Sequence, residues 1–203
     1  MNSPLLIATR NAHKTDEIQQ ILGGTVADLT AHPEIPATVE SGATFEENAG
    51  LKAIEASLLF EGLVLSDDSG LEVDALGGAP GVFSARYAGE NANDATNRAR
   101  LLLELTRVDA RGKARSARFR CVMALAERGK ILGYFHGTVE GMIIPQEKGD
   151  GGFGYDPLFV PDGFCQTFAQ LPQETKNDIS HRGRALEKVR TFLSDRSGAH
   201  QSV

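Results

Sequence analysis

Two carboxylates stand side by side in Leu65-Ser66-Asp67-Asp68-Ser69-Gly70, after a short apolar run and before a glycine. Such a run reads as a buried strand, and open α/β sheets bind ligands where strands end. Neighbouring residues on a strand point to opposite faces, so Asp67 and Asp68 are expected to do different jobs. One could bind a hard cation or activate water while the other anchors the turn. A plain Asx-turn is the simpler alternative, but two consecutive carboxylates favour chemistry. Glu40, just before Ser41-Gly42, has no evident structural duty. As a second acidic ligand beside Asp68 it would suit Mg²⁺, which uses few carboxylates and keeps several waters. Glu47 is different, because a capping box with Thr44 already accounts for it.

Three further constellations could hold a nucleotide. In Thr9-Arg10-Asn11-Ala12-His13-Lys14 a polar loop runs into a helix start. Backbone N–H groups there, with Lys14 one turn in, would hold phosphate. The segment is not a Walker motif, and a solvated helix start is an equal alternative. In Gly151-Gly152-Phe153-Gly154-Tyr155-Asp156-Pro157 the glycines could present Phe153 or Tyr155 as a stacking surface, with Asp156 at the polar edge of a base. A tight loop with an aromatic tucked inward competes with that reading. Lys176 and Ser180-His181-Arg182-Gly183 place cations and a histidine before or within the last helix, suited to phosphate or a carbonyl-rich base. Acidic ligands, phosphate binders on separate segments and an aromatic platform together read as a Mg²⁺–nucleoside triphosphate site.

The elements that carry these residues follow from periodicity. Residues 5–8 form a buried strand, and Ile18, Ile21 and Leu22 recur at helical spacing until Gly23-Gly24 stops the helix. Residues 26–41 are weakly patterned. Thr44 opens a helix to about residue 60, and Gly62 precedes a strand over 63–65. A helix is predicted over about 94–105. Residues 116–126 alternate, with Ala117, Phe119, Cys121, Met123 and Leu125 on one face. A turn at 127–130 leads to a long strand over 131–144, on whose odd face Gly133, Gly137 and Gly141 alternate with large residues. That pattern suits a twisted or bent strand with something packed on it. A short strand is predicted over 155–160, and residues from 172 onward are mainly helical with about eight frayed at the end. The expected fold is α/β: a strongly twisted mixed sheet flanked by helices, one chain-wide domain over 1–203, two-lobed.

Composition sets the outer limits. The 203 residues are 41% hydrophobic and 24% charged, as in soluble globular proteins. Net charge is −6 with no basic run, which disfavours a nucleic-acid polymer as partner. No stretch approaches the ~18 apolar residues of a membrane span. Cys121 and Cys165 make no disulfide framework or zinc pattern, so a cytoplasmic location is expected. Of 22 glycines, five fall between Gly70 and Gly89 and eight between Gly129 and Gly154, marking sharp turns or close backbone approach.

Read in order, Thr9-x-Asn11-x-x-Lys14, TFEENA at 44–49, DDSGLEVDALGGAPGVFSARYAG at 67–89, GGFGYDPLF at 151–159 and SHRGRAL at 180–186 resemble the inosine triphosphate pyrophosphatase-like family, the dITP/XTP pyrophosphatases. The resemblance implies a two-lobed mixed α/β fold, a homodimer, and Mg²⁺-assisted hydrolysis of non-standard purine triphosphates (ITP, dITP, XTP) to monophosphate and pyrophosphate. By position, Asp68 resembles the general base and a metal ligand, and Glu40 the other metal-binding acid. Thr9, Arg10, Asn11, Ala12, His13, Lys14, Ser69, Phe153, Gly154, Tyr155, Asp156, Lys176, His181 and Arg182 resemble substrate-binding positions. The first motif departs from the usual Thr-Gly-Asn-x-Gly-Lys at Arg10 and His13, whose side chains must point away from phosphate or add contacts to it. For base selection, groups near His181-Arg182 would donate to the 6-oxo acceptor that adenine lacks. From the residues alone two other functions stay open: a Mg²⁺-dependent phosphohydrolase with an Asp nucleophile, and a non-catalytic nucleotide sensor.

Overall fold

The computed structural model describes residues 5–23 and 26–199, with side chains as far as residue 196. Its strands are β1 (Leu5–Ile7), β2 (Ala27–Asp28), β3 (Leu63–Val73), β4 (Ser116–Glu127), β5 (Lys130–Ile143) and β6 (Phe159–Pro161). Its helices are α1 (Ala12–Leu22), α2 (Phe45–Ser57), α3 (Asp94–Arg107), α4 (Gln173–Ile179) and α5 (His181–Ala199). The six strands form one sheet in the order β2-β1-β3-β4-β5-β6. It is mixed: β1 runs parallel to β2 and β3, while β5 and β6 are antiparallel. The α/β class with a mixed sheet is as expected.

The chain divides into two compact units. The first takes the described residues within 1–68, 121–137 and 182–203. In it the two faces of β3 bury different neighbours. Leu65 joins Ile7, Ile18, Cys121, Ala185 and Leu186, the residues of β1, α1, β4 and α5. Val64 joins Leu6, Leu29, Ile35 and Ala56, so its face is covered by α2 and the segment after β2. This is strand alternation expressed as packing. The second unit takes 69–120 and 138–181. Its core gathers Leu71, Val73, Leu101, Leu105, Val139, Ile143, Leu158 and the rings of Phe119, Phe159 and Phe168.

Local chemistry explains the boundaries. Thr44 accepts from the Glu47 N–H (3.1 Å), and Glu47 accepts from the N–H groups of Thr44 (3.2 Å) and Ala43 (2.7 Å), so the capping box at α2 is complete. Thr44→Ala should lower stability by about 1 kcal/mol, measured by urea unfolding; no change would mean the box contributes nothing. Asn93 caps α3 in the same reciprocal way with Thr96. β4 and β5 are joined through Arg128 and Gly129 at φ 51° and 75°, the left-handed pair of a type I′ hairpin turn. Gly141 lets β6 approach: a Cβ there would sit 2.3 Å from the Val160 carbonyl oxygen.

Several expectations need correction. β3 does not end at Leu65 but continues to Val73, so Asp67 and Asp68 lie inside a strand. The segment after α1 contains β2, which pairs with β1 although its two residues carry no visible pattern. α2 stops at Ser57. Residues 155–160 are mostly not strand: a 3₁₀ turn, Asp156–Leu158, precedes β6, in keeping with Pro157. Gly23 closes α1 at φ 70°, whereas Gly24 lies outside the described residues. α5 runs to Ala199, and of the tail expected to fray, residues 200–203 lie outside them as well.

Candidate active site

The first unit assembles a site around β3. Asp67 and Asp68 are consecutive, so they point to opposite faces. Asp67 faces α1 and α5. Its Oδ2 accepts from Arg182 Nε (3.1 Å) and Cys121 Sγ (3.1 Å), and its Oδ1 takes the Lys14 ammonium. Arg182 Nη1 binds Glu17. Burial would push the Asp67 carboxyl up, but the charges of Arg182 and then Lys14 overcome this and hold it well below the usual range. Burial raises the Cys121 thiol strongly, and Asp67 adds to that, so it stays a neutral donor.

Asp68 faces α2, and there the electrostatics reverse. Lys52 Nζ donates to Asp68 Oδ1 (3.0 Å), to Glu40 Oε1 (2.8 Å) and to the Asp67 carbonyl (2.8 Å). Burial raises the Asp68 carboxyl above its ordinary value, with Glu40 adding to it and Lys52 and Lys14 only partly opposing. Asp68 Oδ2 is buried and has no hydrogen-bond partner. A buried acceptor left bare is uncommon and marks a position where a ligand, a water or a cation completes the set. Glu40 is delivered by a tight turn held from α2, in which the Gly42 N–H donates to Asn48 Oδ1 (2.8 Å). A Cβ at residue 42 would lie 2.7 Å from that oxygen, so glycine is required there by close approach.

The loop before α1 is shaped by its own side chains. Thr9 Oγ1 accepts from the Asn11 N–H (3.1 Å), and the Asn11 side chain caps the helix by accepting from the Lys14 N–H (3.3 Å). Ala12 and His13 are exposed in the first turn of α1. The Arg10 guanidinium donates to the carbonyls of Leu29 (3.0 Å) and Ile35 (2.7 Å), bracing the segment that leads toward Glu40.

In the second unit Asp156, not a free base reader, is the organiser of the glycine loop. Its Oδ2 accepts from the Phe153 N–H (2.9 Å) and from Lys176 Nζ (2.6 Å). A side chain at Gly152, where φ is 68°, would collide with that oxygen at 2.1 Å. Lys176 is buried with its Nζ 5.1 Å from the centre of the Phe153 ring. Gly154 is tied to α3, its N–H to Asp94 (2.7 Å) and its carbonyl to Arg98 (2.9 Å). Tyr155 is not a stacking surface: it is buried, and its hydroxyl donates to the Ser84 carbonyl (2.9 Å). Phe153 keeps partial exposure. His181 lies flat on Phe119, 4.9 Å between ring centres, and is buried. Ser69 opens this unit and is half-buried.

The Tyr155 and Arg182 side chains have internal partners: Tyr155 the Ser84 carbonyl, and Arg182, 1% exposed, the carboxylates of Asp67 and Glu17. Three residues of the first-unit cluster were not anticipated: Lys52, Glu17 and Cys121. Glu17 lies three residues after Lys14, one helical turn on, and that spacing was legible. Lys52 carried no such signal. As for a metal, Glu40 and Asp68 offer hard oxygen ligands, and the bare Oδ2 of Asp68 fits Mg²⁺. No group of three His, Cys, Asp or Glu forms a metal cluster among the described residues, so water or substrate oxygens would fill the remaining positions.

Comparison with known proteins adds four similarities. A model described as the Ham1 family matches residues 5–192. The dITP/XTP pyrophosphatase of Exiguobacterium sibiricum is 49% identical over 193 residues, covering 94% of this chain and 96% of that protein. That of Desulforamulus reducens is 47% identical over 202 residues, 98% and 99%. Among solved structures, a HAM1 protein from Coxiella burnetii matches with a TM-score of 0.86 and 41% identity, covering 96% of this chain and all of that one.

Proposed function

This chain belongs to the Ham1 family, and from that premise we propose that it hydrolyses non-standard purine nucleoside triphosphates of the dITP and XTP type to monophosphate and pyrophosphate. The observation that carries the chemistry is Asp68: a buried carboxylate of raised basicity, with one oxygen on Lys52 and the other bare.

Water must attack the α-phosphorus in line with departing pyrophosphate, against the repulsion of the phosphate oxygens. The Asp68 carboxylate orients that water and takes its proton, directly or through the shell of the metal it would hold, and the raised carboxyl makes it a better acceptor than a solvated Asp. Lys52 fixes the other Asp68 oxygen and holds the rotamer. The N–H groups at the start of α1 and the Lys14 ammonium engage phosphate oxygens. Asp67 is kept ionised by Arg182 and holds Lys14 in place. Glu40 and Asp68 would hold Mg²⁺, which when bound neutralises phosphate charge and stabilises the leaving group. Phe153 is the aromatic proposed to stack on the purine, and the organised Asp156–Lys176 pair fixes its loop. An inosine or xanthine 6-oxo group accepts where adenine donates, so a donor aimed at O6 rejects adenine by leaving buried groups unpaired, worth up to ~10⁴-fold.

On the same reading the working form is a homodimer in the cytoplasm. Support comes from the resemblance, from the free thiols of Cys121 and Cys165, and from the lack, among the described residues, of a helix long and apolar enough to cross a membrane. Light scattering at micromolar concentration tests the dimer.

Product analysis tests the activity. With Mg²⁺, dITP and XTP should give monophosphate and pyrophosphate much faster than dATP or dGTP. Release of orthophosphate alone, or equal rates on all four, would defeat the proposal.

A further inference from the structure

Lys52 stands between the two carboxylates that the metal reading needs. An ammonium has three N–H donors, and here three oxygens receive them: Glu40 Oε1, Asp68 Oδ1 and the Asp67 carbonyl, at 2.8, 3.0 and 2.8 Å. The side chain is 12% exposed, so water screens these contacts little. Burial works against the ammonium, but Asp68 and then Glu40 outweigh it, and Lys52 stays charged. The Glu40, Asp68 and Lys52 set therefore carries −2 + 1 = −1, with an internal cation already on an oxygen of each acid.

We propose that Lys52 is a built-in counter-cation that competes with free divalent metal for Glu40 and Asp68, so that metal binds tightly only together with the triphosphate. The inference rests on the metal-assisted reading above. A divalent ion arriving alone meets a fixed positive charge among its ligands. A triphosphate brings further anionic oxygens, which give the metal more ligands and the ammonium another partner. The device would keep the hydrolytic site unloaded until substrate is present.

Mn²⁺ binding followed by electron paramagnetic resonance tests this without turnover. Mn²⁺ is titrated into the full-length protein alone and with the α,β-methylene analogue of dITP. For wild type the analogue should tighten Mn²⁺ binding strongly. Lys52→Met should bind Mn²⁺ alone at least about tenfold more tightly than wild type, because the competing unit charge is gone. Lys52→Arg, which keeps the charge, should stay weak. Lys52→Gln repeats the test should the Met variant not fold. Unchanged or weaker Mn²⁺ binding by the neutral variants would overturn the inference, as would equal tightening by Lys52→Arg. If the analogue fails to promote Mn²⁺ binding even in wild type, the metal-assisted reading itself falls.

Discussion

Replacing Asp68 with Asn is expected to lower kcat on dITP by about 10²–10⁴-fold, the range typical of a lost general acid–base group. The amide is nearly isosteric, and Lys52 keeps Glu40 and the Asp67 carbonyl as partners. The fold should therefore survive. The melting temperature should hold or rise, since a desolvated carboxylate of raised pKa is a local liability that chemistry requires. Pyrophosphate release and thermal unfolding, measured on one preparation, check both halves. A kcat within the wild-type range would remove Asp68 from the mechanism. A collapse of the melting temperature would make its role structural.

Arg182→Met should act in the opposite way, striking stability first. Met matches the apolar length of the side chain but abandons two buried acids, Asp67 and Glu17. Breaking a buried ion pair from one side typically costs ~3–5 kcal/mol. That is a large share of the ~5–15 kcal/mol available to a domain. Arg182→Lys should recover little, because one ammonium cannot reproduce the separate Nε and Nη1 contacts of the planar guanidinium. Urea unfolding reads the loss, and a change near zero would show that the cluster contributes no net stability. The cluster also sets an acid limit. Asp67 titrates near 3.8 in an unfolded chain and well below that in the fold, where Arg182 and Lys14 outweigh burial. Its stabilisation is complete above the unfolded value and drains away as pH falls through the folded one. The wild-type melting temperature should fall on that acid limb, and Asp67→Asn should flatten it.

The sequence was most legible where chemistry is local. The capping box at Thr44, the turn at Arg128-Gly129 and the opposed faces of Asp67 and Asp68 all depend on residues a few positions apart. Glu40 and Asp68 were legible as a pair because carboxylates without structural duty stand out. Lys52 was invisible, since a helix lysine looks solvated until the strand it packs against is known. The clamp made by Arg182 was hidden for the related reason that a cation at a helix start usually faces solvent, and only Glu17 and Asp67, 165 and 115 positions away, reveal its buried ion pairs. β2 escaped because two residues cannot show a period. Tyr155 was misplaced because a glycine loop frees the backbone without saying which aromatic turns inward.

The alternation along β3 has a practical side for anyone wishing to redesign the protein. Odd positions 65 and 67 look toward α1 and α5, while Asp68 looks toward α2. Durability and turnover are thereby written on two sides of one ribbon. A library on the α5 side that spares Asp67 and its Lys14 contact should yield variants that differ in shelf life at similar rates, and one restricted to the α2 side the converse. Parity of residue number, not distance from substrate, would then be the first filter in choosing what to mutate.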